Sequence, residues 1–97
     1  MDYPERVAQH LRITILRFLQ EEANYALNED ILLDLTVEYA FDRDSSRLRK
    51  ELRWLEDQGL VELKDVNGLY IATLTKRGSD VANGKKHDGV KKPEPRL

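Results

Sequence analysis

The side chains best suited to bind another molecule lie in the stretch SSRLRKELRWLEDQGL, residues 45–60. At about 100° per residue its leucines share one helix face. The opposite face carries Ser46, Arg49, Lys50 and Arg53. A hydroxyl and three positive charges on such a face can donate hydrogen bonds to base edges and phosphates. The pattern favours contact with nucleic acid. The alternative is a solvated helix face that pairs internally, for example Arg53 with Asp57.

Cations and hydroxyls around this helix extend the candidate interface. Arg43 and Arg47 lie at its start and could reach a phosphate backbone, and Lys64 follows it in a predicted hairpin. The residues predicted to contact DNA are Arg43, Ser45, Ser46, Arg47, Arg49, Lys50, Arg53, Lys64, Lys76 and Arg77.

The residue combinations of common active sites are missing from the sequence. There is no cysteine, which excludes thiol chemistry. His10 and His87 lie in a predicted helix and in the C-terminal tail, so neither is expected beside a serine nucleophile. Asp42 or Asp44 can cap the third helix, and capping explains Asp44 next to Ser45. We therefore predict that the protein is not an enzyme and has no metal site or cofactor.

Charge is distributed unevenly along the chain, whose formal net charge is -2. Residues 1–42 hold three basic and nine acidic side chains, whereas residues 43–97 hold thirteen basic and nine acidic ones. This polarity is typical of a protein that turns one face toward a polyanion and the other away. A chance distribution of solvated charges is the alternative.

The 97 residues suit one small domain, for which we predict residues 1–82. From Asn83 onward the chain contains two glycines, two prolines and few apolar residues, which predicts a flexible, basic tail over 83–97. No apolar run is long enough to span a bilayer, and the N-terminus lacks the features of a signal peptide. We expect a cytoplasmic protein.

Apolar periodicity predicts a first helix over residues 4–22, with Pro4 in its first turn. Ile13 and Leu16 fall off its main apolar stripe and are therefore predicted to form a homodimer contact. The alternative is that another element of the same chain covers them.

Two further helices and a hairpin follow. Asn28 is a suitable cap for the second helix, whose apolar side is expected to carry Ile31, Leu32, Leu35 and Tyr39. The third helix spans about 44–58. Two β-prone runs surround Asn67-Gly68, a strong hairpin signal. Thr75 can cap a short last helix, although Gly78 disfavours it.

This order of elements predicts an α+β, mainly α fold: a winged helix-turn-helix with three N-terminal helices, a two-stranded β-hairpin wing and a short C-terminal helix. The wing tip would be residues 65–68.

Several runs of the sequence narrow this interpretation. SRLRKELRWLEDQGLVEL, NGLYIATLTKRGSDVA and the ending GVKKPEP resemble small winged-helix proteins of Mu-like phages and prophages, described as ArsR-like phage transcriptional regulators. RITILRFLQEEANYALNEDIL is similar to the first two helices of that family. The resemblance implies a transcriptional regulator that binds double-stranded DNA, and we expect a homodimer because one small module would bind weakly. The alternative is a winged-helix protein-interaction module in phage morphogenesis or DNA packaging, with a phage or host protein as partner.

Overall fold

The computed structural model describes residues 2–93. They form α1 (Tyr3–Glu21), β1 (Ala26–Asn28), α2 (Glu29–Glu38), α3 (Ser45–Asp57), β2 (Val61–Val66), β3 (Leu69–Leu74) and α4 (Lys76–Ala82). The predicted α+β, mainly helical class is confirmed. No helix within this range is long and apolar enough to cross a membrane.

Each helix starts at a side chain that accepts a hydrogen bond from a free backbone amide. Asn28 accepts from the amide of Ile31, and Thr75 accepts from that of Gly78. Asp44 caps α3 in the same way. The predicted caps at Asn28 and Thr75 are confirmed, and of the two caps predicted for the third helix, Asp42 or Asp44, it is Asp44 that caps α3. The caps fix the beginnings of α2, α3 and α4.

A three-stranded antiparallel sheet, with strand order β1-β3-β2, lies beside the helices. The predicted β2–β3 hairpin is confirmed, and its two-residue turn, Asn67-Gly68, has positive φ at both positions. The prediction of only two strands was wrong. β1 pairs with the other edge of β3, Leu27 opposite Ala72. Three residues are too few to show an alternating pattern, so β1 gave no periodic signal.

Helix α1 lies at the centre of the core, packed against α2, α3, α4 and β3. Ile13 and Leu16 are 6% and 0% exposed within a single chain. Neither is therefore available as a dimer contact in this fold, and the prediction of a contact there was wrong. The physical reason is that α1 is surrounded on several sides, so its off-stripe residues are covered by the same chain. The homodimer itself stays a prediction.

Residues 83–93 pack more closely than the predicted tail implied. Val90 is 7% exposed and belongs to the core cluster. The Gly89 carbonyl accepts a hydrogen bond of 2.8 Å from Arg12 Nη1, and the Lys91 amide donates to the Gln9 carbonyl. The predicted domain boundary at residue 82 did not anticipate that residue 90 joins the core. Residues 94–97 of the predicted tail lie outside the described residues.

Candidate nucleic-acid interface

Helix α3 divides into a buried and an exposed face. Leu48, Leu52 and Leu55 are buried in the core. Ser45, Ser46 and Lys50 are exposed, and Arg47 is half-buried. The amphipathic character predicted for this stretch is confirmed.

The N-terminal half of α3 carries the accessible positive charge. Arg47 and Lys50 form no ion pair with any residue among 2–93. Two exposed serines lie in the same turn. Asp44 precedes them, and its carboxylate accepts from the Arg47 amide as a helix cap. We name Ser45, Ser46, Arg47 and Lys50 the α3 basic end. Its hydroxyls and cations are unoccupied donors that could bind an anion.

Arg49, unlike Arg47 and Lys50, is held in an ion pair, because Glu29 at the start of α2 binds it. Arg49 Nε donates to Glu29 Oε1 and Arg49 Nη2 to Glu29 Oε2, both at 2.7 Å. Arg49 Nη2 also donates to the Gly68 carbonyl in the hairpin turn. The hydrogen bonds from Arg49 hold the pKa of Glu29 below its ordinary value, although burial opposes this shift. The same hydrogen bonds raise the pKa of Arg49.

Tyr70 of β3 completes this connection. Its backbone amide donates to Glu29 Oε2 at 2.6 Å. Its ring lies 4.1 Å from the Arg49 guanidinium carbon, and its hydroxyl accepts from Arg53 Nη2 at 2.8 Å. Two of the three cations expected to contact DNA on this helix face are therefore engaged with the hairpin. These contacts of Arg49 and Arg53 hold the hairpin beside α3.

The C-terminal half of α3 is acidic on its exposed side. Glu56 and Asp57 line a groove together with Asp65 of β2, and Arg53 and Tyr70 also line it. Asp65 accepts from the Gly68 amide and Glu56 from the Leu63 amide, so these carboxylates are held by backbone donors. A phosphate would be repelled there, which limits the basic surface to the N-terminal half.

The other residues predicted to contact DNA do not all lie on one surface with the α3 basic end. Lys76 and Arg77 begin α4, next to the C-terminal end of α3, where Thr75 Oγ1 donates to the Gly59 carbonyl at 2.7 Å. Along a helix of 13 residues this end lies about 20 Å from Ser45. Lys64 is exposed on the edge strand β2. Arg43 pairs with Asp34 at 2.8 Å, but both side chains are more than half exposed, so this pair is weak.

A buried ion pair connects α3 to α1. Arg12 Nε and Glu51 Oε1 lie 2.7 Å apart and are almost fully buried. Arg12 also binds Glu5 and lies 3.9 Å from the Trp54 ring centroid. The Arg12–Glu51 pair joins α1 to α3, but it is weak evidence for added stability, because removing both charges from water offsets their attraction.

Glu29, Tyr70, Arg12 and Glu51 were not identified from the sequence as determinants of the site. Glu29 was recognised only as a favourable charge at a helix start. Its partners lie 20 and 41 positions away. Local patterns do not reveal pairs at such separations, so no signal in the single sequence could have found them.

The sequence is similar to two phage-associated or bacterial proteins. It is 42% identical over 86 residues to "Uncharacterized protein gp26" of Escherichia phage Mu, a match that covers 88% of each chain. It is 36% identical over 78 residues to an uncharacterized protein of Haemophilus influenzae, covering 79% of this chain and 76% of that protein. Known protein-family profiles give no match. Solved structures give none either.

Proposed function

The chain belongs to the family of the phage Mu protein gp26, and we propose that it is a winged-helix protein of phage or prophage origin that binds double-stranded DNA and regulates transcription. The origin follows from the relatives. The activity is an inference from the surface of α3.

The order of elements supports the winged-helix part of this proposal. A short strand lies between the first two helices, α2 and α3 follow in close succession, and a two-residue hairpin comes next. In this arrangement α3 is the recognition helix and the Asn67-Gly68 turn is the tip of the wing. Residues 65–68 around this turn include Asp65 and no cation. We therefore assign the main DNA contact to the helix and only backbone donors or Lys64 to the wing.

The proposal depends mainly on the composition and exposure of the α3 basic end. Recognition helices bring the residues of their N-terminal half to base edges. Here that half combines two exposed serines with Arg47 and Lys50, which have no ion-pair partner within residues 2–93. Arg53 is not counted with them, because Tyr70 holds its guanidinium through both its hydroxyl and its ring.

The small number of cations sets the expected strength of binding. With about four phosphate contacts, the logarithm of the binding constant would fall with the logarithm of salt concentration at a slope of about -4. One such module would bind weakly at physiological salt. A homodimer across two half-sites would raise the affinity, which is why we include dimerisation in the proposal.

The test is a fluorescence-anisotropy titration with labelled duplex fragments from around the protein's own gene, at low and at near-physiological salt. The test variant is Arg47→Glu with Lys50→Glu. Its matched control is Arg6→Glu with Lys85→Glu, which changes the net charge equally. The two control cations are exposed, and neither forms an ion pair with a described residue. We expect fragment-selective binding that the test variant abolishes and the control retains.

Equal loss in both variants would mean that binding follows net charge alone and would contradict the role of α3. Absence of fragment-selective binding in the unmodified protein would favour the second candidate, a protein-interaction module in phage morphogenesis or DNA packaging. The acidic groove formed by Glu56, Asp57 and Asp65 beside the hairpin is the observation that favours that candidate.

A further inference from the structure

Helix α2 exposes apolar side chains that its sequence pattern predicts to be buried. Ile31 is 44% exposed and Tyr39, directly after the helix, is 65% exposed. Leu35, between them, is half-buried. Because these residues recur every fourth position, they form one continuous stripe about 12 Å long. We name Ile31, Leu35 and Tyr39 the α2 stripe.

Three residues of α2 are buried, Glu29, Leu32 and Thr36, and two of them are polar. Glu29 is buried through its hydrogen bonds to Arg49 and Tyr70, and Thr36 is buried with its hydroxyl donating to the Leu33 carbonyl. The contacts of Glu29 with α3 and β3 orient the helix and leave the α2 stripe in solvent. Pattern and burial usually agree in a folded chain, and the places where they disagree are typical of functional surfaces.

An acidic row runs beside this stripe. Asp30, Asp34 and Glu38 are all exposed and also recur every fourth position. Asp30 and Glu38 form no ion pair with any residue in the described range, and Asp34 has only the exposed pair with Arg43. The sequence of α2, EDILLDLTVE, contains no lysine or arginine. The surface is therefore apolar along one line and negative along the next.

We propose that the α2 stripe binds a basic amphipathic segment of another protein, with apolar side chains against Ile31 and Tyr39 and lysine or arginine against Asp30 and Glu38. Charge complementarity selects this occupant. A second copy of α2 would bring more carboxylates and no cation into the contact. DNA phosphates would be repelled by the same row. None of the α2 residues in this proposal belongs to the α3 basic end, so the proposal does not depend on DNA binding.

The probe is a synthetic peptide of about fifteen residues, made of leucine and lysine, with leucines at helical spacing. A leucine-glutamate peptide with the same leucine positions is the charge control. Both are titrated into the full-length ¹⁵N-labelled protein, and amide shifts are followed. We expect the lysine peptide to shift residues of α2 and its flanks and the glutamate peptide to have no effect.

Substitutions then locate the contact. Ile31→Ser with Tyr39→Ser should weaken peptide binding at least tenfold. Asp30→Asn with Glu38→Gln should weaken it several-fold and reduce its salt dependence. Tyr3→Ser removes an aromatic residue of α1 that is more exposed than Tyr39, and it should leave binding unchanged. Tyr39 packs edge-on against Phe18, so Ile31→Ser alone serves as the second variant if the double variant unfolds.

Three results would overturn the proposal. Shifts centred on α3 or on α1 would place the peptide elsewhere. Equal binding of the glutamate peptide would remove the charge argument. Self-association in sedimentation that disappears in Ile31→Ser would show that a second copy of the chain covers the α2 stripe.

Discussion

Glu29 and Arg49 are joined by two parallel hydrogen bonds of 2.7 Å, although they belong to different helices and lie 20 positions apart. The same carboxylate accepts from the Tyr70 amide of β3. One buried side chain thus connects α2, α3 and the hairpin. A planar guanidinium suits this role, because it can bind both oxygens of a carboxylate and stack on an aromatic ring at the same time.

The first prediction concerns the loss of this carboxylate. Glu29→Gln keeps the size of the side chain but removes the charge that binds Arg49 and leaves a buried amide in its place. We expect the free energy of unfolding to fall by about 1–3 kcal/mol, measured by urea unfolding. The matched control is Asp30→Asn, which also removes a negative charge from the first turn of α2 but from an exposed position. Equal effects of both substitutions would show that the helix dipole, and not the Arg49 contact, is responsible.

The pH dependence of stability should report the same contact. Hydrogen bonding by Arg49 holds the pKa of Glu29 in the folded protein below the ordinary value of 4.5. A lowered folded-state pKa means that the stabilisation is complete above about pH 4.5 and is lost as the pH falls through the folded-state pKa. The unfolding free energies of the unmodified protein and of Glu29→Gln should therefore differ at pH 7 and converge as the pH falls through the folded-state pKa of Glu29. Comparing the two cancels the titration of other carboxylates. A constant difference across this range would exclude Glu29 as the titrating group.

The sequence predicted the elements well where the signals were local. The caps at Asn28, Asp44 and Thr75 and the Asn67-Gly68 turn each depend on a few adjacent residues, and all were found in the structure. The short strand β1 was missed because its partner, not its own pattern, makes it a strand.

The candidate site was predicted only in part. The position of α3 and its exposed face followed from leucine periodicity. The sequence did not predict that Arg49 is bound by Glu29 whereas Lys50 is not. Both residues have the same local context, and only the fold places Glu29 beside Arg49. Ile13 and Leu16 are a second case that the sequence alone could not decide. An apolar residue off the main stripe can be covered by a second chain or by another element of the same chain, and only the tertiary packing shows which.

Gly78 was expected to disfavour the last helix, and the structure shows why a glycine lies there. A Cβ added at this position would lie 2.0 Å from the Leu60 carbonyl oxygen and 2.7 Å from a methyl carbon of Leu74. Alanine would favour the helix by about 1 kcal/mol, but the overlap is with backbone, which cannot rotate away. We expect Gly78→Ala to lower the free energy of unfolding by about 2 kcal/mol or more.

Thermal and urea unfolding of Gly78→Ala, beside Lys76→Ala as an exposed control in the same helix, measures this effect. An unchanged or raised stability in Gly78→Ala would mean that α4 does not approach Leu60 as closely as described. The test therefore examines the packing of α4 on the end of α3.

The last prediction concerns the segment after α4. Val90 is 7% exposed, and Val66 at the hairpin is 39% exposed. The same substitution, valine to alanine, can therefore be compared at a buried and at an accessible position. Because removal of buried methyl groups loses both transfer free energy and packing, Val90→Ala should cost about 1–2 kcal/mol. Val66→Ala should cost clearly less. Equilibrium urea unfolding of both variants decides: if Val90→Ala is as harmless as Val66→Ala, residues 83–93 do not contribute to the core and the domain ends with α4.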